Sequence, residues 1–362
     1  MKEKENKNKH TMSDLLQMQS LPLSAKISMT LTRIRAWYDH FDGQVYVSFS
    51  GGKDSTVLVD ILSKHGYGDV PLVFVDTGLE YPEIREFVKG YGDRVTWLRP
   101  KMNFKKVIET YGYPLISKDV SQCISDVRTY AKNNNCDMRK SYLWDRAFNP
   151  DSEYAKKYPH FSRTRWDFLL DSPFLISHKC CDAIKKRPSK EYEKETGRKP
   201  ILAIMASESR QRTTQWLKVG CNAFEGKRPI SKPMSFWTEQ DVLQYIKEND
   251  LPICSVYGDV IEDIEGTEAV EGQMTMPDIV GWEDQGSFDA ERPPLKTTGC
   301  DRTGCMFCMF GCGTASWNNF ERMKQTHPKQ YEWIMKPWSE GGLGYKEVID
   351  WMNSHGNLNI RY

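Results

Sequence analysis

The chain has 362 residues, 39% apolar and 12% aromatic, enough for one large α/β domain with insertions or for two domains. Its formal net charge is +1, so no overall field draws it to nucleic acid or to an anionic membrane, and local charge must decide its partners. No stretch reaches the roughly 18 apolar residues that span a bilayer. The opening MKEKENKNKH, charged and without an apolar run behind it, predicts a solvated tail and no secretory signal. The expectation is a cytoplasmic protein without a membrane partner, whose ten cysteines are thiols or ligands.

In chain order, residues 13–41 carry a helical pattern that closes against VYVSFS (45–50), a β-rich run stopped by Gly51 and Gly52. Val57, Leu58, Ile61 and Leu62 then recur at helical spacing. PLVFVDTG (71–78) reads as a second buried strand followed by the helical YPEIREFVKGYG. VTWL (95–98) offers a third strand, FKKVIETYG a third helix, and ILAIMA (201–206) a later strand. This alternation predicts an α/β fold with a doubly wound, mainly parallel sheet covered by helices on both faces. Residues 119–176, rich in Tyr, Trp, Arg and Asn, are too long for a simple βα connection and read as a helical insertion. WTEQDVLQYIKEND (237–250) opens with Thr238 as N-cap and Asp241 in the first turn.

Residues 259–291 hold eleven acidic residues and no Lys or Arg, a solvated loop that would repel a phosphate backbone. The predicted layout is a tail and helix over 1–40, then a nucleotide-binding domain over 41–118 and 177–258 interrupted by the insertion at 119–176. An acidic loop (259–298) and a Cys-rich region (299–362) complete it.

The joint at SFSGGKDS (48–55) carries the strongest chemical signal. A strand that turns through two glycines into a helix aims several backbone N–H groups at one point, and the helix terminus adds partial positive charge. Gly51, Gly52 and Ser55 would cradle phosphate, with Ser48 and Ser50 as further hydroxyls and Lys53 as a point charge. Asp54 would repel phosphate, so its task is to hold Mg²⁺ or orient the helix start. A Walker A loop is excluded because GxxxxGK[ST] is absent. Four cysteines lie in GCDRTGCMFCMFGCG, at 300, 305, 308 and 312, and a tandem pair, Cys180 and Cys181, in HKCCDAIKKRP. Either the C-terminal quartet or the tandem pair with Cys305 and Cys308 makes four ligands, and thiolates alone do not choose iron–sulfur over zinc.

The SGGKDS string resembles the PP-loop of the adenine-nucleotide α-hydrolase (HUP-like) superfamily. Further stretches are similar to its phosphoadenosine-phosphosulfate (PAPS) and adenylyl-sulfate reductase family. VFVDTGLEYPEI (73–84) resembles that family's second-strand motif, which carries Asp76, Thr77 and Gly78 over as residues beside the nucleotide, with Asp76 near Mg²⁺ or ribose. SESRQR (207–212) matches a later motif at Glu208, Ser209 and Arg212, and RPISKPMSFWTEQDVLQYI (228–246) is similar to the segment after it. The resemblance covers roughly 40–320, with the insertion and the acidic loop outside it.

It implies ATP or an adenylylated sulfate as ligand and, from the adenylyl-sulfate reductase pattern, a [4Fe–4S] cluster on Cys180, Cys181, Cys305 and Cys308. Lys185 would then be a cation near the cluster and the substrate's sulfate, catalytic beside Lys53 and Asp54. Cys300 and Cys312 remain alternative ligands, and zinc the alternative metal. The chain departs from the family in having no Cys after 312 to take a sulfo group, and Met205 where Arg is usual. An intact SGGKDS, in contrast, resembles enzymes that split ATP.

The expected function is therefore sulfur transfer or sulfonucleotide reduction, served by an electron- or sulfur-donor protein. An ATP-dependent sulfurtransferase acting on DNA or tRNA is one alternative. A non-catalytic nucleotide or redox sensor with a structural zinc site is another. Nucleic acid is not favoured as a partner. The basic run at 185–199 is interleaved with Glu191, Glu193 and Glu195, and the arginines and aromatics of 119–176 suit a core equally well. Cys123, Cys136, Cys221 and Cys254 read as small core residues and His178 as a surface residue.

Overall fold

Strand and helix alternate along the chain as the hydrophobic period switches between 2 and 3.6. In the computed structural model, which describes residues 8–158, 163–263, 293–313 and 319–362, the order begins with α1 (Met12–Gln19), α2 (Leu23–His40) and β1 (Val45–Ser48). There follow α3 (Lys53–Lys64), β2 (Leu72–Val75), α4 (Pro82–Lys89), β3 (Val95–Leu98), α5 (Phe104–Tyr111), β4 (Leu115–Ile116) and α6 (Lys118–Asn134). Next come α7 (Tyr142–Ala147), α8 (Glu153–Lys157), α9 (Arg187–Thr196), β5 (Lys199–Ile201), α10 (Arg210–Val219), β6 (Asn222–Ala223) and β7 (Ile230–Ser231). The last are α11 (Glu239–Glu248), β8 (Val260–Glu262), β9 (Leu295–Thr297), β10 (Met309–Phe310), α12 (Asn319–Thr326), α13 (Pro328–Met335) and α14 (Tyr345–Gly356). No helix among the described residues is long and apolar enough to cross a membrane.

The chain divides into two compact units. Unit 1 is Met1–Asp76, Tyr81–Leu98 and Ser189–Thr303; unit 2 is Thr77–Glu80, Arg99–Pro188 and Gly304–Tyr362. In unit 1 a six-stranded sheet runs β3-β2-β1-β5-β7-β6, parallel throughout except for the antiparallel β6–β7 pair. The predicted mainly parallel α/β sheet is therefore present. Fully buried Val45, Val47 and Leu72 on the strands and Val57, Leu58, Ile61 and Leu62 on α3 build its core. Helix α2 packs on α3 and β7, and α11 packs on α3. A buried ion pair, Lys26 Nζ to Asp241 Oδ1 at 2.6 Å, ties α2 to α11.

Two element boundaries differ from the sequence expectation. The helix predicted over 13–41 is two helices, because Pro22 cannot donate a backbone N–H to continue α1 and takes the N-cap position of α2 in extended geometry. The strand predicted over 201–206 stops at Ile201. Its partner β7 is two residues long, so after Leu202 N donates to Ser231 O the ladder ends, and Ile204 N turns back to Leu202 O.

Within this sheet β1, β2 and β3 build outward to one side, after which β5 pairs on the opposite edge of β1. Strand order reverses there, and in open α/β sheets ligands bind beyond the carboxyl ends of the strands at that switch point. The turn that follows β1 is Phe49–Gly52, so topology aims the glycine pair at the crevice.

Unit 2 is mostly helical. α6 packs on α7 and on the 3-10 helix Thr164–Asp171, which in turn packs on α14. The Arg128 guanidinium fastens this group by donating to the carbonyls of Leu169, Leu170, Ser172 and Phe174. β4 and β10 pair in parallel, with Gly311 N donating to Ile116 O. Of the predicted acidic loop, residues 264–292 lie outside the described residues.

Candidate functional site

The joint after β1 is built from within unit 1. Phe49, 1% exposed, anchors it by donating its N–H to Val73 O. Gly51 adopts φ +70°, and a Cβ there would stand 2.7 Å from Val88 Cγ2 and 3.0 Å from Ile84 Cγ2 on α4, so both conformation and space demand glycine. Gly52 is the N-cap of α3 in extended geometry, and its carbonyl accepts from Thr56 N and from the hydroxyls of Ser55 and Thr56. The predicted phosphate hydroxyls of Ser50 and Ser55 are turned to the loop itself. Ser50 Oγ lies 3.0 Å from Ser55 Oγ and accepts from Gly52 N, while Ser48 sits at the end of β1 opposite Val73.

Lys53 is 3% exposed. Its ammonium donates to Asp301 O at 2.6 Å, pairs with Glu239 Oε1 at 2.9 Å, and lies 5.4 Å from the centre of the Tyr257 ring. Beside it, Asp54 Oδ1 is buried with no hydrogen-bond partner. Burial pushes the Asp54 carboxyl above its ordinary value, against the opposing pull of Lys53, Arg302 and Arg212, while Glu239 adds to the rise. Asp76, at the end of β2, is buried and accepts from Arg85 Nη2 at 2.9 Å.

A cationic rim lies after β5. Glu208 accepts from Met205 N, forms an ion pair with Arg212, and stands 3.6 Å from Arg302. Ser209 caps α10 by accepting from Arg212 N. Burial and the neighbouring Arg302 lower the Arg212 guanidinium, and burial followed by Arg212 lowers Lys232. Four cations (Lys53, Arg212, Lys232 and Arg302) thus stand among three carboxylates (Asp54, Glu208 and Glu239) in unit 1.

Unit 2 contains Thr77 and Gly78. The Thr77 N–H and hydroxyl both donate to the Glu80 carboxylate, and Gly78, at φ +76°, has open space where a Cβ would be. Glu80 lies 3.8 Å from Lys185 Nζ. Cys180 and Cys181 precede a π-helical turn, Asp182–Lys186, that carries Lys185. Cys305 and Cys308 form a turn in which Cys308 N donates to Cys305 O, and β10 follows directly.

The four thiols feel one another. A hydrogen bond within the tandem pair drives Cys180 up and Cys181 down, and lysines 118, 185 and 186 add to the lowering of Cys181. Burial raises Cys305 and pushes Cys308 up to about 12, while Lys185 opposes both. Burial would lower Lys185 itself, but Cys305, Glu80 and Cys181 more than offset that and hold its ammonium above the ordinary value. Cys312 is buried beside Cys308 and also stands at about 12, whereas Cys300 belongs to unit 1, where it neighbours Cys254. Among the described residues no three His, Cys, Asp or Glu side chains are gathered closely enough to hold a metal ion.

The structure also brings to Lys53 residues that the sequence reading passed over: Tyr257, Asp301 and Glu239, with Thr303 behind the Tyr257 hydroxyl. Tyr257 carries no spacing signal. The one available hint for Asp301 and Thr303 is their place in CDRTGC, a short charged run between two cysteines.

A family model described as "Phosphoadenosine phosphosulfate reductase domain" matches residues 44–149 and 146–310. Two uncharacterized proteins of Methanocaldococcus jannaschii are each 29% identical to the chain. One match runs over 136 residues, 35% of this chain and 28% of the relative; the other over 157 residues, 40% and 34%. The matched stretch thus spans about a third of the length of these relatives. A phosphoadenylyl-sulfate (PAPS) reductase from Candida auris, solved as a phosphate complex, is 16% identical. That match covers 68% of this chain and 81% of that one with a TM-score of 0.32.

Proposed function

Since the chain belongs to the phosphoadenosine phosphosulfate reductase domain family, we propose that it is an enzyme that binds ATP or an adenylylated sulfate at the 48–55 loop and performs sulfur transfer or sulfonucleotide reduction. The observation that carries this reading is the placement of Gly51, Gly52 and Lys53 at the start of α3, at the switch point of a parallel sheet, within a rim of cations. Lys53 offsets charge on the phosphate tail, most of all on a departing pyrophosphate, with Arg212 and Arg302 adding to the field. Asp54 Oδ1, buried and unpaired, fits Mg²⁺ as an oxygen donor. Asp76, with Glu208 and Ser209, completes the nucleotide side in unit 1; Thr77 and Gly78 belong to the turn that follows Asp76.

In unit 2, Cys180, Cys181, Cys305 and Cys308 would hold a [4Fe–4S] group. The donor set supports this: four mutually interacting thiols with the Lys185 cation beside them. Thiolates alone do not choose between iron–sulfur and zinc, and zinc is the alternative occupant. A cluster interposes its own iron–sulfide core between the thiolates. When bound, it supplies electron or sulfur chemistry that an external donor replenishes. Lys185 would steady thiolate charge and attract an anionic sulfo group.

The intact SGGKDS loop favours a second reading: ATP adenylates a target, such as a base of DNA or tRNA, and sulfur then replaces oxygen. One experiment separates the two. Protein purified without oxygen is mixed with Mg²⁺, a reductant, and either ATP or adenylyl sulfate, while iron content, the visible spectrum and products are followed. Brown, iron-containing protein that releases sulfite from adenylyl sulfate fits reduction, and pyrophosphate from ATP fits the second reading. A colourless zinc protein that releases neither contradicts both.

A further inference from the structure

The Lys53 N–H is one of the donors that the first turn of a helix leaves without an intrahelical partner, and it is where a phosphate cradle would receive an anionic oxygen. That position is filled. The Tyr257 hydroxyl accepts from Lys53 N at 3.2 Å, and its oxygen lies 2.5 Å from Thr303 Oγ1. Over Gly52, whose missing side chain would otherwise leave room for a ligand, the positions nearest a hypothetical Cβ are three neutral oxygens. They are Tyr257 Oη at 3.0 Å, Ser50 Oγ at 3.2 Å and Thr303 Oγ1 at 3.3 Å. The ammonium of Lys53 is likewise engaged, by Asp301 O and by Glu239.

These occupants belong to two short segments that are tied to each other. Gly299 N donates to Tyr257 O at 2.7 Å and Cys300 N to Val256 O at 2.9 Å, while within the second segment Thr297 Oγ1 donates to Cys300 O at 3.0 Å. Tyr257 is 2% exposed, so its hydroxyl reaches the loop from inside the protein. We infer that Tyr257, Thr303 and the Asp301 carbonyl form an internal plug that holds the anion position of the 48–55 loop, and that a ligand binds there only by displacing it. This rests on reading the loop as a phosphate cradle and adds a gate to it.

The exchange is selective by chemistry. A phosphoryl oxygen carries charge, and its hydrogen bonds to N–H and ammonium donors are roughly twice as strong as those of a neutral hydroxyl. A diphosphate or triphosphate tail can therefore replace the plug oxygens with gain, whereas an uncharged nucleoside offers nothing in return. The plug admits anionic tails and turns away adenosine.

The test is calorimetric titration of the full chain with inorganic pyrophosphate and Mg²⁺, for wild type, Tyr257→Phe and Thr303→Val, with adenosine as a second titrant. Tyr257→Phe keeps the ring beside Lys53 but leaves its N–H without the hydroxyl, a cost in the free protein that a bound anion relieves. Pyrophosphate should bind about tenfold more tightly to this variant, with Thr303→Val shifted the same way and adenosine silent throughout. In wild type, hydrogen exchange over residues 297–303 should rise when pyrophosphate is added, a readout that needs no variant to fold. Pyrophosphate binding that is unchanged or weakened in both variants, or exchange over 297–303 that does not rise, overturns the plug while leaving the cradle standing. If wild type and both variants all fail to bind pyrophosphate, the cradle reading itself fails and the plug falls with it.

Discussion

Asp54 places a buried, unpaired carboxylate oxygen one residue from an ammonium already engaged by Glu239 and the Asp301 carbonyl. Burial holds its folded-state value above the ordinary one. An acid shifted upward costs nothing at pH values below its unfolded value, and the penalty grows as pH rises through the folded value, so at neutral pH its charge opposes folding. Asp54→Asn should therefore raise the melting temperature of the ligand-free protein at pH 7, with the gain vanishing toward pH 3, while weakening Mg²⁺-dependent nucleotide binding. Thermal scans across that range check it, and a variant that melts earlier at pH 7 contradicts it. Lys53 and Asp54 could be singled out from the sequence because glycine spacing and the strand–helix joint mark them locally. Tyr257 and Asp301 could not, since they reach Lys53 across 204 and 248 residues of chain, and no local pattern encodes such a meeting.

At the level of elements, local chemistry was legible where a cap or a period states it. Thr238 is the N-cap of α11 as expected, and with Asp241 of the first turn it forms a reciprocal capping box. Asp241 also receives Lys26, so the cap and the α2–α11 tie share one carboxylate. Thr238→Ala should cost about 1 kcal/mol, a fall in melting temperature of roughly 2–4 °C for a body of this size, with the Lys26–Asp241 pair retained. A loss above about 3 kcal/mol would mean that the ion pair fails with the cap. Boundaries were less legible. ILAIMA is apolar enough for a six-residue strand, yet a strand lasts only as long as its neighbour, and β7 offers two residues. Pro22 is visible in the sequence as a residue type, but the amphipathic pattern continues past it and hides the break.

At the scale of the whole chain, alternating periodicity announced a mainly parallel sheet, but the strand order and its reversal beside β1 depend on long-range pairing. Which cysteines keep company was equally out of reach. Two partitions satisfied ligand counting; in the fold Cys180, Cys181, Cys305 and Cys308 influence one another within unit 2, with Cys312 beside Cys308, while Cys300 neighbours Cys254 in unit 1. The account as a whole depends on the 48–55 loop receiving the charged tail of an adenine nucleotide. The most direct test is equilibrium titration with a non-hydrolysable ATP analogue and Mg²⁺, comparing wild type with Lys53→Ala. Loss of one charged hydrogen-bonding partner should weaken binding roughly ten- to a hundredfold. Equal affinity in the two proteins would place the nucleotide elsewhere and contradict the account.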